Sequence, residues 1–184
     1  MRRAWADTIR SAYLDQVISS ERALQVHFTP RLMDLFWEDG VKRRVFVEPK
    51  MQLDTGARVH PDLLICNARA IIGVVELKYR PKMPPRYAKD FATFESLAAH
   101  GTAIEIDNER YRGPDGGGGR YALSADPMYV WAGVYAGEIR DIPGYELEKF
   151  QQKQLLVLHA ATREGHDPQI ASTSGSRLSF FDSD

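Results

Sequence analysis

The chain is predicted to fold as one α/β domain, a central mixed β-sheet flanked by helices in the order α-β-β-β-α-β. Three observations predict it. Apolar residues recur at helical spacing over Ala4 to Ile18, and a serine-capped segment follows to Gly40. Two short apolar runs then meet across a polar turn at Asn67-Ala68-Arg69, and an aromatic 3-4 stripe follows a proline-rich break. With 184 residues the chain can bury a sizeable core and is short for two domains of usual size. The single domain is expected over 1–184, with a loose tail after about 171.

Trp5, Ile9, Tyr13 and Val17 recur every fourth position, which predicts an amphipathic helix over Ala4 to Ile18. Ser19 or Ser20 can cap a second helix running through Glu21 and Gln25 toward Trp37, with Gly40 as its stop and Pro30 kinking or dividing it. The two helices could also run nearly continuously through the serines. Val41 to Met51 reads as a strand ending near Pro49, and the Asp54-Thr55-Gly56 turn starts the next strand near Arg58. A third strand runs from Ala70 through Lys78, and its unbroken apolar stretch to Val75 marks a strand covered on both faces. Pro81, Pro84 and Pro85 precede a helix from about Arg86 to Ala99 with Tyr87, Phe91, Phe94 and Leu97 on one face. Ile104 and Ile106 read as a short strand or a loop, Gly113 to Gly119 as a flexible linker, and Met128 to Ala136 as a further strand. Gln154 to Leu158 is a last strand or the end of a helix beginning near Glu146, and Leu178, Phe180 and Phe181 could dock an otherwise polar tail.

Composition narrows the classes. Hydrophobic residues at 43% and charged residues at 27% are ordinary for a soluble globular protein. The longest apolar stretch falls far short of the roughly 20 residues of a membrane helix. Met1-Arg2-Arg3 leads into Asp7, Arg10 and Asp15, where a signal peptide would be apolar, so a cytoplasmic protein is expected. The single cysteine, Cys66, excludes an internal disulfide and multi-cysteine metal sites. His27 and His60 lack a second histidine at ligand spacing, and no Gly-x-Ser-x-Gly elbow is present. Net charge is −1, but Arg80, Lys82, Arg86 and Lys89 crowd after Lys78.

The informative segment lies between Pro61 and Lys78. Residues two apart on a strand share a face, so Glu76 and Lys78 project together, and a hairpin centred near Arg69 sets Asp62 opposite or diagonal to Glu76. Facing carboxylates at a buried strand end call for a cation. Carboxylate oxygens suit Mg²⁺ or Mn²⁺, with water and phosphate completing the shell. The plainer reading of Lys78 is a side chain snorkelling to pair with Glu76.

Pro61-Asp62 together with Glu76-Leu77-Lys78, in this strand context, resembles the PD-(D/E)xK nuclease superfamily, and the similarity covers roughly Ser20 to Ala136. The resemblance implies a restriction-endonuclease-like core and Mg²⁺- or Mn²⁺-dependent phosphodiester hydrolysis, with DNA as the expected substrate. It implies Asp62, Glu76 and the Leu77 carbonyl as ligands of one or two ions, Lys78 as the catalytic cation and Glu21 as an auxiliary acid. The plainer reading of Glu21 is an acid that only favours the positive end of its helix. Gln25, one turn on, joins Arg80, Lys82 and Arg86 as expected nucleic-acid contacts, with Tyr79, Tyr87 and Lys89 around the mouth. Tyr87 and Asp90 do not form the Gln-x-x-x-Tyr signature of RecB-like exonucleases. A non-catalytic nucleic-acid-binding or assembly module keeping the fold is the competing reading. Cleaving both strands of a duplex calls for two copies or successive nicks, so a homodimer is expected through the N-terminal helix or the strand around Trp131. Specificity would come from a partner protein or be low.

Overall fold

The computed structural model describes residues 1–100, 104–107, 120–139, 154–174 and 177–181. Helix α1 (Arg2–Thr8) passes into a π-helical turn, Ile9–Tyr13. A four-residue recurrence exceeds the α period, and the wider turn, with Leu14 N–H donating to the Ile9 carbonyl at 3.2 Å, keeps Ile9 buried and Tyr13 half-buried. Val17 falls outside both segments and is exposed, so the expected helix to Ile18 is shorter.

Helix α2 (Glu21–Glu38) is capped by Ser20, whose Oγ accepts the Ala23 N–H at 3.1 Å. Pro30 does not divide it. The proline and Val26, whose carbonyl loses its partner there, both lie on the exposed side, where water replaces the missing bond.

The expected strand Val41 to Met51 is two strands, β1 (Arg44–Val47) and β2 (Lys50–Gln52), separated by Glu48 at φ 46° and Pro49. A left-handed glutamate is strained, and here it turns its N–H onto the Asp62 carbonyl at 2.8 Å. The strand expected from Arg58 divides into β3 (Arg58–Val59) and β4 (Leu63–Cys66), with Asp62 just ahead of β4. Next come β5 (Ala70–Arg80), α3 (Ala88–His100), β6 (Ile104–Asp107) and β7 (Arg120–Ala136). The final run is β8 (Leu155–Arg163), β9 (His166–Ser174) and β10 (Arg177–Phe180). The polar tail expected to be loose after about 171 thus supplies strand pairings. The glycine run and the segment near Glu146 lie outside the described residues.

The fold is mixed α/β with a large, mostly antiparallel sheet. β1, β4, β5 and β7 are neighbours in that order, β8, β9 and β10 extend the sheet beyond β7, and the start of β7 pairs through β6 to β2 and β3. The parallel pairs lie at its centre, β5 with β7 and β7 with β8. β7 starts eight residues ahead of the expected Met128. Its register on β5 jumps from Ile71 opposite Leu123 to Gly73 opposite Met128, bulging out the stretch with Pro127.

Alternation divides the core cleanly. Leu64, Cys66, Val74, Tyr129, Trp131 and Val157 pack with Phe91, Phe94 and Leu97 of α3. Leu63, Ile65, Val75, Leu77, Val130 and Leu158 pack on the other face with Trp5, Ile9, Leu24, Phe28 and Leu32. Trp5 and Trp131, which lie on the two segments expected to pair copies, are fully buried in the core. Among the described residues no helix is long and apolar enough to cross a membrane.

Candidate active site

The side chains of Asp62, Glu76 and Lys78 meet on the α3 face of the sheet. Leu63 pairs with Val75 in the antiparallel β4–β5 register, so Asp62, one residue earlier, stands opposite Glu76. Two donors hold the Asp62 backbone carbonyl, the Glu48 N–H and, at 3.2 Å, Gln25 Nε2. Gln25, expected to contact nucleic acid, is instead a buried strut from α2 to the Asp62 backbone. The Asp62 carboxylate accepts the Leu77 N–H at 2.6 Å. The Leu77 carbonyl, expected as a ligand, accepts Lys78 Nζ at 3.1 Å.

Lys78 is gripped from both helix layers. Its Nζ lies 3.7 Å from Glu21 Oε1 at the start of α2 and 3.4 Å from Asp90 Oδ1 in α3. Asp90 is buried, and its other oxygen accepts Trp131 Nε1 at 3.0 Å. Sequence reasoning missed Asp90. The signal was an acid on the apolar stripe: four residues before Phe94, it shares the core-facing side of its helix.

Burial dominates the electrostatics. Burial, then the charges of Asp62 and Asp90, push the Glu76 carboxyl up to about 9, so at neutral pH it carries a proton and shares a hydrogen bond with Asp62. Burial also raises Asp62, against the Leu77 N–H and Lys78, which lower it. Asp90 is raised by burial, and Lys78 and Trp131 act against that rise. For Lys78 burial works to lower the pKa, yet Asp90, Glu21, Asp62 and Glu76 together hold it above the ordinary lysine value.

One stability prediction follows with a definite sign. Between the unfolded value of about 4.3 and the folded value of about 9, the folded chain keeps a Glu76 proton that the unfolded chain has released, so stability falls as pH rises through that window. Glu76→Gln mimics the protonated carboxyl. In EDTA at pH 8 it is expected to raise unfolding free energy by about 1 to 3 kcal/mol and to flatten the decline between pH 5 and 9, measured by denaturant unfolding. A variant no more stable than wild type would show that Glu76 is not strained.

These residues open into a cavity of about 1000 Å³ lined by Glu21, Asp62, Glu76, Lys78 and Asp90, with a rim of Arg58, His60, Arg80, Arg86 and Lys89. Arg58, on a two-residue strand, was not expected there. Tyr87 also lines it, whereas Tyr79 points to the opposite face and donates to the Ile18 carbonyl at 2.7 Å. Lys82, expected on the rim, lines a separate hollow with Tyr79, Arg163 and His166. The chain turns after β5 and carries Lys82 away.

Among the described residues no group of three or more His, Cys, Asp and Glu side chains is arranged to hold a metal ion. The donor chemistry still suits a hard cation. Asp62 and Glu76 are two facing carboxylates, and Mg²⁺ commonly takes only one or two, completing its shell with water and phosphate. In comparisons with known proteins, no family model, no curated protein and no solved structure matches the chain.

Proposed function

We propose that the protein is a Mg²⁺- or Mn²⁺-dependent nuclease with a restriction-endonuclease-like core, acting on DNA. The observation that carries this reading is the convergence of Asp62, Glu76 and Lys78 at the end of β5, inside an acidic cavity with a cationic rim. A binding module would have no use for facing buried carboxyl groups, which oppose folding. Asp62 and Glu76 would hold the ion, which supplies charge neutralisation and an acidified water. Lys78 directs an ammonium into the same space, where it can bind a phosphate oxygen and orient the attacking water. Glu21 and Asp90 fix that ammonium from two sides. Arg58, Arg80, Arg86 and Lys89 are spaced around the opening to take flanking phosphates.

The test incubates wild-type protein with single-stranded DNA, duplex DNA and RNA in Mg²⁺, Mn²⁺ or EDTA. Metal-dependent cleavage of DNA is expected, and cleavage of RNA alone would redirect the substrate. Intact substrates throughout, with no metal binding by calorimetry, would favour the non-catalytic module. Neutralising Arg58 and Arg86 together is expected to weaken DNA binding and to lower the salt slope by about 2.

A further inference from the structure

The face of α2 turned away from the sheet is apolar in a symmetric pattern. Ala23, Val26, Pro30, Met33 and Trp37 follow one another at alternating spacings of three and four, which sets them in one seam along the helix. Val26 is 60% exposed, Met33 49% and Trp37 87%. The opposite face, with Leu24, Phe28, Leu32 and Leu35, is already spent on the core, and Ala23 is half-buried, touching the core from the end of the seam.

We propose that this seam pairs with the same seam of a second copy of the chain, antiparallel about a two-fold axis at Pro30. The complementarity is internal to the helix. Ala23 and Trp37 lie seven residues on either side of Pro30, so antiparallel pairing sets the largest side chain of the seam on the smallest, at both ends. Val26 and Met33 lie four before and three after, so they meet within about 1.5 Å of level. His27 and Asp34 are two turns apart on one flank and both exposed. The two-fold operation keeps that flank on the same side and brings His27 of each copy beside Asp34 of the other. A parallel pair would instead stack Trp37 on Trp37 and carry the His27 and Asp34 flanks to opposite sides, away from each other. The contact is isologous and therefore closed at two copies.

The pairing is separate from the cavity. Glu21 projects from the core side of α2, so each chain keeps its own complete site, and the two Glu21 positions fall about 27 Å apart along the helix direction. The dimer therefore stands or falls independently of the nuclease reading.

The experiment is sedimentation equilibrium of the full chain from about 1 to 100 µM. Wild type is expected to approach twice its 20.8 kDa mass as concentration rises. Trp37→Glu is expected to stay monomeric, with thermal unfolding equal to that of wild type at the dilute end of the range. His27→Asp is expected to raise the dimer Kd about tenfold, and His27→Asp with Asp34→His to restore it, because the exchanged pair is again complementary. A wild-type protein monomeric at the top of that range, or a Trp37→Glu variant that still dimerises, would overturn the proposal.

Discussion

Asp62→Asn is expected to abolish cleavage by about 10³-fold or more without harming the fold. The asparagine oxygen can still accept the Leu77 N–H, and the Asp62 backbone keeps its bonds to Gln25 and Glu48. What disappears is the Asp62 charge, one of the causes that push the Glu76 carboxyl up, so Glu76 ionises at less cost and the protein in EDTA at pH 8 should be as stable as wild type or more so. Lys78→Ala is expected to lose comparable activity with the opposite effect on stability. It leaves buried Asp90 and the half-exposed Glu21 without their shared cation and should lower the unfolding free energy by about 2 to 3 kcal/mol. Single-turnover cleavage and urea unfolding on both variants separate the effects. Retention of activity in either would remove the proposed catalytic core, and equal stability losses in both would mean that the residues serve packing alone.

Gly133→Ala is expected to be the most damaging single-methyl change in the sheet. Gly133 stands beside Lys78 in the β5–β7 register, and Trp131, its neighbour on that face, lays its six-membered ring across the missing side chain. A Cβ would fall far inside contact distance of that ring. Trp131 is fully buried among Phe91, Phe94 and Tyr135, so the ring has no free space to enter. Overpacking of this kind should lower stability by about 3 kcal/mol. The displaced indole would also release Asp90, and with it one side of the Lys78 grip. Chemical unfolding should show the loss, and whatever folded fraction remains should cleave more slowly per molecule. A Gly133→Ala protein as stable as wild type would mean that the ring has another resting place.

Period-two alternation made the central feature legible: Glu76 and Lys78 on one side, with Asp62 across the hairpin, need only strand geometry and a turn. The aromatic stripe of α3 was equally plain. That stripe also hid Asp90, because a face read as core leaves no place for a buried acid until its partners, Lys78 and Trp131, are known. Tyr79 could have been placed, since it alternates away from Lys78. The break at Glu48 was not readable, because the left-handed turn serves a hydrogen bond to Asp62, fourteen residues on. Pro127 concealed the first half of β7, which needs a bulge to continue past it. The strands β9 and β10 were missed for a different reason: strands near the sheet margin with one solvated face are polar by composition, and β10 alone forms that edge, with β9 paired between it and β8.

The grip on Lys78 has a consequence for the life of the polypeptide. Its ammonium is held by one residue from the second helix and one from the third, and the strand bearing it is completed only when β7 adds alongside. A nascent chain still emerging from the ribosome has no such assembly until Ala136 is free to pair. Whatever chemistry the buried acids and the ammonium perform together, no partial chain can perform it, because the cluster exists only in the finished fold.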